Sequence, residues 1–290
     1  MMNNLFNALK LFSELNKLRI TVIVTLTTLA GYTLAAGAIN KGAILPLLGI
    51  FILACGSAAL NQYQERKKDV IMKRTQNRPL PSGRIKPAAA LVFSLTEIIA
   101  GTAIVYVGSG MEAAILAFMA FVWYNLIYTP LKLITAFAVI PGSVIGAIPP
   151  MVGWVAGGGS INDPAMWIMA FFFFISQVPH FWLLAMKYGE EYHLAGFPVI
   201  TKIFSTLQLN RVTFVWIVAT SLNIIMLIFA GLLKTLFFQI VVAIAGIWLI
   251  IVFLKLLKKP DDNFNPFKYF MRLNMFLLVV IISMIIDPLL

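Results

Sequence analysis

Nine apolar runs of about twenty residues dominate this chain, and each is long enough to cross a bilayer as a helix. They lie at roughly 18–38, 43–61, 88–108, 111–128, 134–156, 164–186, 212–232, 234–254 and 269–287. Of the 290 residues, 61% are hydrophobic and 11% charged, whereas a soluble domain carries roughly 25% charged residues. The expected fold is an all-α polytopic membrane protein. No soluble domain, low-complexity linker or convincing repeat interrupts it, so residues 1–290 read as one membrane-embedded domain.

The formal net charge is +11. In a soluble protein that balance would point to nucleic acid; here it has another cause, and no nucleic-acid partner is expected. With the N-terminus in the cytoplasm, every one of the 22 Lys and Arg residues except Lys41 and Lys234 falls on the inner side. That is the charge asymmetry of cytoplasmic loops, and an odd number of spans then puts the C-terminus outside. Residues 1–17 have neither a cleavable signal nor a transit-peptide pattern. Leu5, Leu9, Phe12 and Leu15 fall at helical spacing and predict an amphipathic helix on the membrane surface. A bacterial inner membrane is the expected location. The single cysteine, Cys55, lies in an apolar run and reads as packing.

The longest polar interruption runs from Asn61 to Lys86. Asn61, Glu65 and Asp69 recur every fourth residue, which places them on one helix face at the end of a span. Oxygen ligands of this kind suit magnesium, which commonly arrives with phosphate oxygens. Lys73, Arg74 and Arg78 follow and can neutralise a diphosphate; anchoring to anionic lipid is the plainer role for the same cations. Pro79, Pro81 and Gly83 then turn the chain towards the next span. The inner loop between the second and third spans is 62–87, and a second inner loop, 187–211, holds Glu190, Glu191 and Tyr192. Adjacent acids do not share a helix face, so one of the two is expected to meet the first cluster, and Glu191 is the choice.

Other polar residues are less specific. Tyr128 and Lys132 stand four apart and can reach one ligand, although both types are common at membrane interfaces. Glu97 lies within a span, where an acid is a functional candidate by default; its partner is not evident. His180, in Pro179-His180-Phe181-Trp182, can ligate metal or haem iron or move protons, while a lone His among aromatics is more often only hydrogen-bonded. His193 has less to recommend it. The aromatics Phe171 to Phe174 suit lipid or helix contacts, or the wall of an isoprenoid slot.

Taken together, these segments resemble the intramembrane prenyltransferases of the UbiA superfamily, and within it the haem-farnesylating group, the haem O synthases. The resemblance rests on Glu14-Leu-Asn-Lys17-Leu-Arg19-Ile-Thr21, on Asn61 through Arg84, on Tyr128-Thr-Pro-Leu-Lys132, on Gly146-Ala-x-Pro149-Pro150-x-x-Gly153-Trp154, on Pro179-His-Phe-Trp182 and on Glu191-Tyr192-x-x-Ala195-Gly196-x-Pro198. The last eighty residues match in hydropathy only. The resemblance implies nine transmembrane helices around a central cavity. It implies that Asn61, Glu65, Asp69 and Glu191 hold Mg2+, that Lys73, Arg74, Arg78, Lys132 and Tyr128 bind the diphosphate of farnesyl diphosphate, and that His180 handles haem. Asn61, Glu65, Asp69, Glu191 and Lys132 are then the catalytic set. Haem B is the implied acceptor, alkylated at a vinyl group; membrane lipids and membrane proteins of the haem pathway are the implied partners.

The chain also departs from that family. Glu65 and Glu191 stand where the family has Asp, Leu133 where it has Arg, Ala138 where it has Asn, and Leu18 where it has Pro. Both acid changes keep a carboxylate. The departures equally fit a divergent prenyltransferase or terpene cyclase with another acceptor, or a non-catalytic haem-binding or assembly protein. A secondary transporter would place its polar groups at the midplane in paired broken helices; here they cluster at the cytoplasmic boundary.

Overall fold

Lys17 divides the first two helices, α1 (Met2–Leu15) and α2 (Leu18–Ala36). It is the one non-glycine residue with positive φ, at 48°, among the described residues. For an L-residue that geometry costs about 1–2 kcal/mol, and it breaks what would otherwise be one continuous helix. On α1, Leu9 and Phe12 are exposed while Leu15 is buried against the bundle. The computed structural model describes residues 2–258 and 264–290, with side chains from Leu9 onward at the amino end. The Leu5 side chain, and Lys259 among the inner-side charges counted above, lie outside the described residues.

Eight helical stretches among the described residues are long and apolar enough to cross a membrane. The longest, Pro87–Leu131, contains 45 residues and would be about 67 Å long if straight, over twice the hydrocarbon thickness. It is broken at Gly110 (φ 79°, ψ −174°), a conformation glycine adopts without steric cost. Both limbs return to the same level of α3 (Ile44–Asp69): Gly56 lies against the Ser94 backbone, and Asn125 donates to the Ser57 carbonyl at 3.0 Å. The nine apolar runs and the eight stretches therefore differ in whether these limbs are counted once or twice.

The first limb lies in α4 (Pro87–Phe121), which continues into a π-helical turn, Val122–Tyr128. After a short connection come α5 (Val144–Ala156), α6 (Pro164–Leu194), α7 (Thr206–Phe229), α8 (Leu236–Phe253) and α9 (Pro266–Ile286). Two apolar cores result. Ile50, Val105, Ala117 and Val152 knit α3, α4 and α5; Phe172, Val242, Phe253 and Phe276 knit α6, α8 and α9. Helices α2 and α5 cross at backbone contact, because a Cβ on Gly31 would meet the Pro150 carbonyl and one on Gly153 the Thr28 carbonyl. Small residues permit such approaches where lipid removes any hydrophobic drive between helices. Outward, Ile99, Val107, Ile244 and Phe229 are exposed, as a lipid-facing surface requires.

Helices α3 and α6 outrun their predicted apolar spans. Asn61-Gln-Tyr-Gln-Glu-Arg-Lys-Lys-Asp69 continues α3, and Lys187 to Leu194 continues α6. The predicted loops 62–87 and 187–211 thus begin as helix, because Gln, Glu, Lys and Arg are good helix formers and bilayer thickness limits the apolar run rather than the helix. Helix α7 starts before its predicted span, on a reciprocal cap between Ser205 and Gln208.

Candidate active site

The polar end of α3 presents Asn61, Glu65 and Asp69 on one buried face, with Asp69 fully enclosed. Each meets a cation or donor from a different segment. Lys17 Nζ donates to Asn61 Oδ1 at 2.9 Å, and Asn61 Nδ2 donates to Thr129 Oγ1 at 3.1 Å. Glu65 is ion-paired with Lys132, just past the π-helical turn. Arg78 Nη1 donates to Asp69 Oδ2 at 2.8 Å. Asp69 Oδ1 is buried without a hydrogen-bond partner. Burial, with Arg78 next in effect, pushes the Lys17 ammonium down to about 7. Burial, with Lys17 next, pushes Lys132 down to about 7. This is the response of cations crowded together away from water.

The loop after α3 folds back over this face. Thr75 donates its hydroxyl to the Asp69 carbonyl at 2.9 Å, and Arg84 pairs with Glu14 of α1 at 2.5 Å. The end of α6 closes from the other side. The Arg74 backbone N–H donates to Glu191 Oε2 at 3.1 Å, and its guanidinium donates to the Tyr192 hydroxyl at 3.0 Å while lying 4.9 Å from the Tyr188 ring centre. Lys68 Nζ donates to the Ala195 carbonyl at 2.8 Å. The two polar segments therefore meet, with Glu191 touching the loop rather than the acid trio. Glu190 is exposed and paired with Lys202 at 2.9 Å, which leaves Glu191 as the inward member. Lys73 is exposed.

Aromatic rings line the π-helical side. Tyr124 and Tyr128 stack at 6.1 Å, Tyr128 meets Phe181 at 5.9 Å, and Lys132 Nζ lies 5.4 Å from the Tyr128 ring. A π-turn offsets these side chains from ordinary helical register, a device common at functional sites. His180 points away from this cluster: Nε2 is 2.9 Å from Asn274 Oδ1 of α9, and the ring lies 4.4 Å from that of Phe270. Sequence reasoning missed Lys17, Lys68 and Thr129 as members of the site. Lys17 enters the sequence reading only as an inner-side charge and as part of the Glu14–Thr21 segment, and its place in the cluster depends on its left-handed backbone.

The donor set fits one hard cation better than a protein-only metal cage. Among the described residues, no three His, Cys, Asp or Glu gather as a ready set of ligands. Magnesium keeps waters and uses one or two carboxylates together with phosphate oxygens. Asp69, with one unpartnered buried oxygen, and Glu65 and Asn61 above it on the same face supply that chemistry.

Comparison with known proteins bears on the fold and on descent. The model of the UbiA prenyltransferase family matches residues 24–278. A protoheme IX farnesyltransferase of Oleidesulfovibrio alaskensis is 31% identical over 272 residues, covering 94% of this chain and 96% of that protein. One from Gloeobacter violaceus is 33% identical over 287 residues, covering 97% and 92%. Among solved structures, a digeranylgeranylglyceryl phosphate synthase superposes with a TM-score of 0.77 at 20% identity, covering 97% of this chain and 98% of that one. A UbiA homologue from Archaeoglobus fulgidus bound to GPP and Mg2+ superposes at 0.71 with 12% identity, covering 97% and 100%. At those identities the solved structures speak for the fold, while the family match and the nearly full-length relatives speak for descent: the chain belongs to the UbiA prenyltransferase family.

Proposed function

We propose that this protein transfers a farnesyl group from farnesyl diphosphate to a vinyl group of haem B, giving haem O and diphosphate, with Mg2+ as cofactor. The observation that carries the reading is the convergence on the buried α3 face of Lys17, Lys132 and Arg78, three cations from three separate segments. Such a concentration of positive charge beside oxygen ligands suits a magnesium-bound diphosphate. The acceptor comes from the relatives, which share the activity named for them at 31–33% identity over nearly their whole length.

In the reaction the bond between farnesyl C1 and the diphosphate oxygen breaks as the haem vinyl carbon bonds to C1. Water adds to the resulting porphyrin-side cation and releases a proton, leaving a hydroxyl. Bound magnesium would neutralise charge on the leaving diphosphate, with Asn61, Glu65 and Asp69 as its protein ligands and Glu191 closing over it from α6. Lys17, Lys132, Arg74 and Arg78 would bind the diphosphate oxygens and stabilise the charge that grows there; Lys73 would join from the loop surface. The stacked Tyr124 and Tyr128 and nearby Phe181 offer π faces to the allylic carbon as it becomes cation-like. The loop over the site keeps water from that carbon. His180, buried beside α9, is assigned to haem handling. The protein sits in the bacterial inner membrane with its N-terminus in the cytoplasm, the arrangement the charge asymmetry favours.

The test is a product assay on membranes supplied with haem B, farnesyl diphosphate and magnesium. Haem O should form, and Asp69→Ala should abolish its formation while the protein remains in the membrane. Retained turnover in that variant would refute the site. Turnover of farnesyl diphosphate without haem O would refute the acceptor.

A further inference from the structure

We infer that Glu97, an acid inside the membrane, is a positioning residue that holds Lys17 in the diphosphate site through Asn16. The inference rests on the diphosphate-site reading above and adds a residue no part of that reading uses. Glu97 Oε1 accepts a hydrogen bond from Asn16 Nδ2 at 3.1 Å, across 81 residues of sequence. Asn16 is fully buried, and it is the neighbour of Lys17. A second clamp holds the same turn: Gln62, also fully buried, donates from Nε2 to the carbonyls of Glu14 at 2.7 Å and Leu15 at 2.9 Å.

Between these clamps Lys17 is kept in the left-handed region, where lysine does not rest by preference. Released, Lys17 would relax to the right-handed region and join α1 to α2 as one helix. Its ammonium would then leave Asn61, which it now meets at 2.9 Å. Strain of this kind persists where surroundings over-determine it. The half-buried Glu97 is explained on the same terms, because its carboxyl group orders a turn rather than facing substrate. Asn16 Oδ1 and Glu97 Oε2 both lack a donor, so a glutamine at position 97 can pair its amide with that of Asn16 reciprocally.

The experiment measures binding of farnesyl thiodiphosphate, a slowly reacting analogue, with magnesium to the purified full-length protein in detergent. Glu97→Leu should weaken binding about tenfold, the loss of one Lys17 contact with the diphosphate as the turn is released. Glu97→Gln should bind like wild type. In a Lys17→Ala background, Glu97→Leu should cause no further loss, because its effect runs through Lys17. Independent, additive losses from the two substitutions, or unchanged affinity in Glu97→Leu, would overturn the inference. If Glu97→Leu does not fold, Asn16→Leu carries the same expectation and the same non-additivity. Wild-type protein that binds no analogue would overturn the diphosphate site itself, and the relay with it.

Discussion

Arg78 and Asp69 form an enclosed ion pair of the site, with the Asp69 side chain wholly shielded from water. Removing one partner of such a pair strands the other in low dielectric, at a cost of about 3–5 kcal/mol. Arg78→Ala should therefore lower both thermal stability and diphosphate affinity, whereas Lys73→Ala, at an exposed position, should reduce affinity alone. Thermal unfolding in detergent beside analogue binding separates the two. Spacing alone revealed Asn61, Glu65 and Asp69, because a periodicity of four is local information. It could not reveal Lys17, whose role depends on a single backbone angle. Nor could it tell that Glu191 meets the Arg74 backbone, since that contact spans 117 residues.

Helices carry their own signatures. Gly110 and Gly153 are both required, for different reasons. Nothing crowds a Cβ at Gly110, so Gly110→Ala should cost only the strain of a backbone region that is essentially glycine-only, about 1–3 kcal/mol. At Gly153 the added methyl meets the Thr28 backbone, which cannot swing aside. Gly153→Val should then force α2 from α5 and cost about 1–3 kcal/mol or more, the range of overpacking. Melting temperatures of the two variants should fall in that order. A third element-scale device lies at the opposite end from the site. Asp287 accepts from the backbone N–H groups of Lys234 at 2.6 Å and Thr235 at 2.9 Å, and from the Thr235 hydroxyl. Asp287→Ala leaves these donors unpaired where α8 begins and should destabilise by about 2–4 kcal/mol without altering diphosphate affinity. Apolar run lengths showed the spans, but they missed the polar extensions of α3 and α6, where hydropathy falls while helix propensity does not.

Across the whole molecule, the α3–α5 core and the α6–α9 core are bridged at the polar end by Lys68 on the Ala195 carbonyl and by Arg74 on Glu191 and Tyr192. On the proposed orientation that end faces the cytoplasm. Lys41→Cys and Lys234→Cys should react with a membrane-impermeant thiol reagent in intact spheroplasts, and Lys86→Cys only after lysis. The native Cys55 is buried and gives no background. The reverse pattern would invert the topology and put the site outside.

Sequence by itself determined the membrane class, the positions of most spans, the acid face and Arg78 and Lys132 as candidate cations beside it, because hydropathy, helical period and charge are properties of neighbours along the chain. Tertiary structure alone decided which cation faces which oxygen, that Lys17 enters the site, and that Glu97 reaches Asn16. Those facts depend on how separate helices pack, and the energies that set them lie in contacts between residues far apart in sequence.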